Sequence, residues 1–488
     1  MSSKRDKRGL AELALACAAT ALVVWLPVYA YLLLWGDVAN YASPVEWVLA
    51  PVLGVHVAYA IWRLTGTIRA YRAAGASYRM SRRGLWGCAL LVGVLGGVTF
   101  AMNSPTALYL ADQFGPYSYT VDDPATSRVV AWHVKWPASF KFRYWPASNP
   151  EAAESVTTPT ARQHEVFLEG LSPDAEYRFQ IVGFSDSTFR FKTAPNDTRP
   201  FTFLVYGDTR GGPSEPSRLG ELAANASAYL GGGYDFVINT GDIAYSSWDL
   251  SGWVQFFRDV QPPGDDRVRP YYVSIGNHEW GLDQGRNFEY FFKYKPDRYY
   301  SFNWSNVHVA VVDNYDDWLA NVGKPVGSVI TDEQLAWLDA DLARNAGKRW
   351  LVVAFHVPPY STGDYGYNVH VQRQLGPVLE KYGVHVVLTG HDHHYESFLV
   401  NGTYYFVTGG GGSPLDYYIV GEGGWRGLVH NASEQPFFDD YATTHYQLYG
   451  ELAFHFLTFD VNGSTMTINA VRGDGSLMQE LVLTEAGL

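Results

Sequence analysis

From Pro200 onward, five loops of this 488-residue chain each open with a side chain able to bind a metal, and each follows a short apolar run. Phe201 to Tyr206 runs into Gly207, Asp208, Thr209 and Arg210, and Phe236 to Thr240 runs into Gly241, Asp242 and Tyr245. Tyr271 to Ile275 leads to Gly276, Asn277 and His278, Trp350 to Phe355 leads to His356, and Val384 to Thr389 leads to Gly390, His391, Asp392 and His393. Carboxylate, carboxamide, phenol and imidazole are oxygen and nitrogen donors suited to hard or borderline cations. The only two cysteines, Cys17 and Cys88, fall in apolar segments. That excludes a thiolate zinc site and a disulfide framework elsewhere in the chain, so a metal must be held by His, Asp, Asn or Tyr. One such loop carries little information, because Gly-Asp and Gly-Asn occur in turns everywhere; five in order carry a great deal.

The elements that must position these residues are strands alternating with helices. In α/β sheets the loops at the carboxyl ends of strands converge on one crevice. Glycine before a ligand lets the backbone turn sharply and come close to a metal. A capping box at Thr331 and Gln334 predicts a helix with Leu335, Leu338 and Leu342 along one face. Upstream, from about Pro116 to Pro195, apolar and polar residues alternate over short runs broken by turns such as Ser172, Pro173 and Asp174, the pattern of an all-β unit. Lone His133 and His164 read there as ordinary strand or loop residues.

The five loops resemble the calcineurin-like metallophosphoesterases and, more narrowly, the purple acid phosphatases. The resemblance covers roughly Phe201 to Leu488. Ordinary members of the superfamily have a His two residues after the first Asp, where this chain has Arg210. Purple acid phosphatases lack that His and supply a Tyr from the second motif, and here Tyr245 stands three residues after Asp242. The resemblance implies one metal held by Asp208, Asp242, Tyr245 and His393, and a second held by Asp242, Asn277, His356 and His391, with Asp242 bridging. Fe(III) is expected at the Tyr245 site and Fe, Zn or Mn at the other. His278 is the candidate to contact phosphate or protonate the leaving group, His370 is a further catalytic candidate at unusual spacing, and Arg210 either grips phosphate or makes a surface ion pair. His394 reads as solvent-facing or as a neighbour of the ligands, and His385 as a strand residue. Asp416 to Tyr446 looks like an insertion near the site.

The implied organisation has three parts. Residues 1–110 form a membrane anchor of about three transmembrane α-helices, 116–195 a fibronectin type III-like β-sandwich, and 199–488 an α/β metallophosphoesterase domain of two packed β-sheets flanked by helices. The anchor rests on apolar segments near Leu13 to Trp35, Trp47 to Leu64 and Leu85 to Met102. Basic residues cluster in the leader and the second loop, whereas the first loop has none, which places the N-terminus in the cytoplasm and the catalytic domain outside the cell. Six Asn-x-Ser/Thr sequons, at Asn196, Asn225, Asn303, Asn401, Asn431 and Asn462, fit a glycoprotein.

Charge follows the same division. Up to Leu108 there are ten Lys or Arg against four Asp or Glu, and the remainder carries 26 against 45. An acidic body repels phosphate backbones, so nucleic acid is not an expected partner. The expected function is hydrolysis of phosphate esters, soluble or lipid-linked, by a hydroxide activated on two metals, with monoesters as the leading substrates. The alternatives are a phosphodiesterase on the same metal core and a non-enzymatic surface adhesion or sensor protein. Oligomeric state is left open.

Overall fold

A computed structural model gives the structure of residues 113–484, apart from 213–214, 248, 262–263, 281–284, 296, 316–329, 364, 417, 422–423 and 428–445. Two β-sheets form the larger part. The first runs in spatial order Tyr271–Val273, Phe236–Asn239, Phe201–Tyr206, His455–Asn462, Thr465–Arg472 and Leu477–Thr484. Its first three strands are parallel to one another, and the strands from the C-terminal part join antiparallel. The second sheet runs Tyr300–Trp304, Val307–Val311, Trp350–Ala354, Val386–Thr389, Thr403–Thr408, Tyr395–Val400 and Gln447–Glu451, with a parallel centre.

The alternation of side chains along a strand decides what lies on each face. Val307, Val309 and Val311, with Val352, Ala354, Val386 and Leu388, face the first sheet and share a core with Phe203, Phe236 and Phe459. Their neighbours Ala310, Leu351, Val353 and Val387 face the other way, onto Leu338, Leu342, Val371, Leu375 and Leu379 of the helices Asp332–Asn345 and Val369–Tyr382. Strands buried on both faces are apolar almost throughout; the exception, His308, is buried with its Nε2 2.8 Å from Asp341 Oδ2. Each fully buried Val or Leu among these residues contributes on the order of 1.5–3 kcal/mol.

The helix at Thr331 starts as expected: the Thr331 side chain accepts the N–H of Gln334 at 3.2 Å. The second half of the capping box is absent. The Gln334 carboxamide instead brackets Asp313, accepting its N–H at 2.7 Å and donating to its carbonyl at 2.8 Å. A tertiary partner outcompetes the local one.

Among the described residues, seven strands precede these sheets. Phe114–Tyr119, Arg128–Ala138 and Ala161–Leu168 make one sheet; Glu154–Thr157, Lys141–Pro146, Glu176–Val182 and Phe189–Lys192 make another. Trp132, Val166, Phe142, Phe179 and Phe191 fill the space between them. His164 stacks on Trp132 with centroids 5.0 Å apart, and His133 stacks on Phe114, also at 5.0 Å. The unit is fastened to the larger sheets: Phe114 stacks on Phe257 at 4.8 Å, and Tyr117 donates its hydroxyl to the Phe291 carbonyl at 3.0 Å.

The membrane anchor is a correction. Among the described residues no helix is long and apolar enough to cross a membrane. The longest, Asp332–Asn345 and Val369–Tyr382, have 14 residues each, about 21 Å of helix against roughly 30 Å of hydrocarbon. The three-helix part of the expected fold class, the integral-membrane partner and the extracellular placement that depended on three crossings therefore do not stand. The apolar segments that prompted them lie within residues 1–112, outside the described residues.

Candidate metal centre

All five loops leave the carboxyl ends of neighbouring strands in the two sheets, so the packing of the sheets brings their first residues together. Asp208, Asp242 and His391 take positive φ angles of 54°, 55° and 72°. Among the described residues only three other non-glycine positions do so, Asp174, Ser305 and Asn401. Left-handed backbone at a residue with a side chain costs on the order of 1–2 kcal/mol, and it concentrates where the surroundings must hold a group in place. Gly241 takes a φ of 107° and turns the chain as expected, whereas Gly276 and Gly390 serve a different purpose. A Cβ on Gly276 would lie 2.1 Å from Asp242 Oδ1, and one on Gly390 would lie 2.3 Å from Asp208 Oδ2. At these two positions glycine leaves room for the carboxylates.

Two donor groups result. In the first, Asp208, Asp242 and His393 each place a donor atom within 4.8 Å of the other two, and all three are buried. His393 Nδ1 donates to the Pro414 carbonyl at 2.6 Å, which leaves Nε2 turned to Asp208 Oδ1 at 3.4 Å. Tyr245 borders this group, its ring 5.7 Å from that of His278 and 5.5 Å from the Arg210 guanidinium. In the second group, Asn277 Oδ1 lies 3.0 Å from both His356 Nε2 and His391 Nδ1, and His356 Nε2 lies 3.4 Å from Asp242 Oδ1. His356 Nδ1 donates to the Thr240 carbonyl at 2.8 Å, fixing which nitrogen faces the site.

These residues fit two adjacent cations. Asp208 Oδ1, Asp242 Oδ2 and His393 Nε2 are buried and make no hydrogen bond. An unsatisfied buried polar group costs on the order of 1–3 kcal/mol, and three side by side are untenable without a charge to gather them. Donor atoms about 3 Å apart match the spacing around one ion with bonds of about 2.0–2.2 Å. Protons respond in the same sense. Burial pushes His356 down, but Asp242 and then Asp208 raise it to about 9. Burial pushes Asp242 up, but His356, His278 and Arg210 hold it well below the usual carboxylate range.

Glu279 organises the loops, and sequence reasoning passed over it. It is fully buried; Oε2 accepts the N–H groups of Asp242 at 2.9 Å and Gly276 at 3.0 Å, and Oε1 those of Ile243 at 2.8 Å and Ala244 at 3.0 Å. Burial and then Asp242 push its carboxyl up to about 7. Asn314 does the same for the His356 loop: it donates to the Val357 carbonyl at 2.9 Å and accepts the Val357 N–H at 3.1 Å. Tyr365 lays its ring against His391, centroids 4.1 Å apart. The place of Glu279 beside Asn277 and His278 was the only signal of its role in the sequence.

The other expected residues separate. His278 is buried, its Nδ1 donating to the Tyr245 carbonyl and its Nε2 3.7 Å from Asp242 Oδ2. Burial and then Arg210 push its imidazole down to about 3, so the ring is neutral near pH 7. Arg210 is no surface ion pair: it is buried, with Nε 3.6 Å from Asp242 Oδ2. His370 is exposed in the first turn of the helix Val369–Tyr382, with its backbone N–H on Asn368. His394, read as solvent-facing or as a neighbour of the ligands, is fully buried. His385 precedes its strand and accepts the Leu351 N–H at 3.1 Å.

The calcineurin-like phosphoesterase family matches residues 201–395, the span that holds all five loops. Purple acid phosphatase 18 of Arabidopsis thaliana is 27% identical over 276 residues, 52% of this chain and 57% of that protein. The chain thus spans little more than half the length of such plant relatives. Tartrate-resistant acid phosphatase type 5 of Mus musculus is 30% identical over 245 residues, 45% of this chain and 74% of that protein. Among solved structures, the purple acid phosphatase PPD1 of yellow lupin superposes with a TM-score of 0.60 at 17% identity, covering 77% of this chain and 74% of that one, a likeness of fold. Paired with the crowding of aspartates, histidines and Asn277 at the strand ends, these relationships show that the chain belongs to the calcineurin-like phosphoesterases, as a purple acid phosphatase-like metallophosphoesterase.

Proposed function

We propose that this protein hydrolyses phosphate esters, phosphomonoesters foremost, at a dinuclear metal centre bridged by Asp242. The observation that carries the reading is that Asp242 belongs to both donor groups, facing Asp208 and His393 in one and His356 in the other. Asp208, Asp242, Tyr245 and His393 would hold Fe(III), the hard ion suited to phenolate and carboxylate. Asp242, Asn277, His356 and His391 would hold Fe, Zn or Mn. When bound, such a pair supplies Lewis acidity toward phosphoryl oxygens and acidifies a water to serve as nucleophile.

The protein's own side chains orient the substrate. Arg210 sets a fixed positive charge beside the bridge, where it attracts a phosphate dianion. Neutral His278, with Nδ1–H on the Tyr245 carbonyl, presents Nε2 as an acceptor; an arriving dianion raises its affinity for a proton, which it can then pass to the leaving oxygen. Tyr365 covers one face of His391. No step is assigned to His370. The seven-stranded unit is read as a fibronectin type III-like spacer, an assignment its strand orders support.

Purified protein assayed with a chromogenic monoester and the matching diester tests the substrate class, with faster monoester cleavage expected. Asp242→Asn should reduce turnover at least about 100-fold, in line with loss of a shared ligand. A variant as fast as the parent overturns the bridge. The visible spectrum should show a tyrosinate–iron charge-transfer band that Tyr245→Phe abolishes.

A further inference from the structure

Next to the loop that carries His391 and His393 lies a second cluster that none of the steps above uses. His394 is fully buried, its Nδ1 2.6 Å from Asp416 Oδ2 and its Nε2 2.9 Å from Glu396 Oε2. Asp392, also fully buried, joins it: Asp392, His394 and Asp416 each offer a donor atom within 4.8 Å of the other two. Asp392 Oδ1 accepts the N–H of Tyr365 at 3.0 Å, whereas Oδ2 is buried and makes no hydrogen bond. Glu396 forms the floor, accepting the Thr362 N–H at 2.8 Å and the side chains of Thr362 and Gln447.

The charges do not balance. Three carboxylates surround one imidazole, an excess of acidic over basic groups in a space with little water. Such an excess is not tolerated in an interior without compensation. Compensation comes from protons or from a cation, and Asp392 Oδ2, buried among these groups, makes no hydrogen bond. A single divalent cation removes the excess and uses that oxygen.

We propose that Asp392, His394 and Asp416 form a third cation site, separate from the dinuclear pair, which takes a divalent ion of the Mn2+ or Zn2+ class. Carboxylate oxygens and one imidazole nitrogen are the donors, a set both ions accept. Nδ1 of His394, on the Asp416 side, is the donating nitrogen, and Glu396 holds Nε2–H, the arrangement that orients a histidine toward a metal. The role is structural. The Asp416 N–H donates to the His393 carbonyl at 3.2 Å, and the Pro414 carbonyl accepts from His393 Nδ1. An ion on Asp416 therefore fastens the short segment that orients His393.

The test is metal stoichiometry on the full chain. Protein incubated with Mn2+ alone and then desalted is assayed for total metal per chain by plasma emission spectrometry, with circular dichroism to verify folding. Asp416→Asn and His394→Gln should each carry one equivalent less than the parent. Asp416 is only partly buried, so its isosteric variant decides the matter should His394→Gln fail to fold. Equal metal in the parent and Asp416→Asn overturns the proposal and leaves the cluster as a proton-sharing network.

Discussion

The Glu279 carboxylate accepts the backbone N–H of Asp242 at 2.9 Å, so the residue shared by both donor groups is held in its left-handed conformation from behind. The same carboxylate holds Gly276 at 3.0 Å and thereby ties the second loop to the third. Replacing it with Gln puts an amide NH2 against two backbone donors. Glu279→Gln should lower the stability of the metal-free protein by about 2–4 kcal/mol and weaken metal uptake roughly 10–100-fold. Denaturant melts and competition with a chelator measure both. Wild-type values in each would show that the clamp is dispensable.

Gly276 tests the close approach. In Gly276→Ala the new methyl meets Asp242 Oδ1 at 2.1 Å and Asp242 N at 2.6 Å, and backbone cannot yield as a flexible side chain would. Gly347 provides the control, since a Cβ there meets nothing within 4 Å. The expected outcome is loss of most bound metal from Gly276→Ala, with Gly347→Ala unchanged. Equal metal content in the two variants would remove the steric argument.

Asn314 acts on His356 through the backbone of Val357. Asn314→Ala strips two hydrogen bonds from a buried loop and should cost about 1–3 kcal/mol of stability. Turnover should fall more than KM rises, because the loop positions a ligand and touches no substrate. A change confined to KM would count against this role.

Stability should fall on the acid side for an identifiable reason. His455 is fully buried between the Ala453 carbonyl and Thr408 Oγ1, and burial pushes it down from 6.5 to about 4. Between those values the unfolded chain binds a proton that the folded chain refuses, so stability is lost as pH falls from about 6.5 toward 4. The shift corresponds to roughly 3 kcal/mol at the acid end. Equilibrium unfolding at pH 7 and pH 4.5 should show a smaller difference for His455→Asn than for the parent; identical slopes would place the acid sensitivity elsewhere.

Much of the site could be read along the chain because each loop begins where an apolar run ends, and a run buried on both faces ends abruptly. Asp208, Asp242, Asn277, His356, His391 and His393 are in that class. Glu279, Asn314 and Tyr365 were not legible, because their partners are fixed by which strands are neighbours. Asn314 reaches Val357 only because Val307–Val311 lies beside Trp350–Ala354. His394 misled for the same reason: the segment that covers it, 414–416, is twenty residues further on. The seven-stranded unit announced itself by alternation, while the long-range ties through Phe114 and Tyr117 left no local mark.

The strand that delivers Asp208, Phe201–Tyr206, is flanked on one side by His455–Asn462, residues more than two hundred and fifty positions later. A ribosome must therefore pass residue 455 before that edge can close. Until then an apolar ribbon, with Phe201, Phe203 and Val205 on it, waits unpaired in the nascent polypeptide. Premature termination anywhere before residue 455 would leave that ribbon open to other chains, so such fragments should collect in aggregates or occupy chaperones.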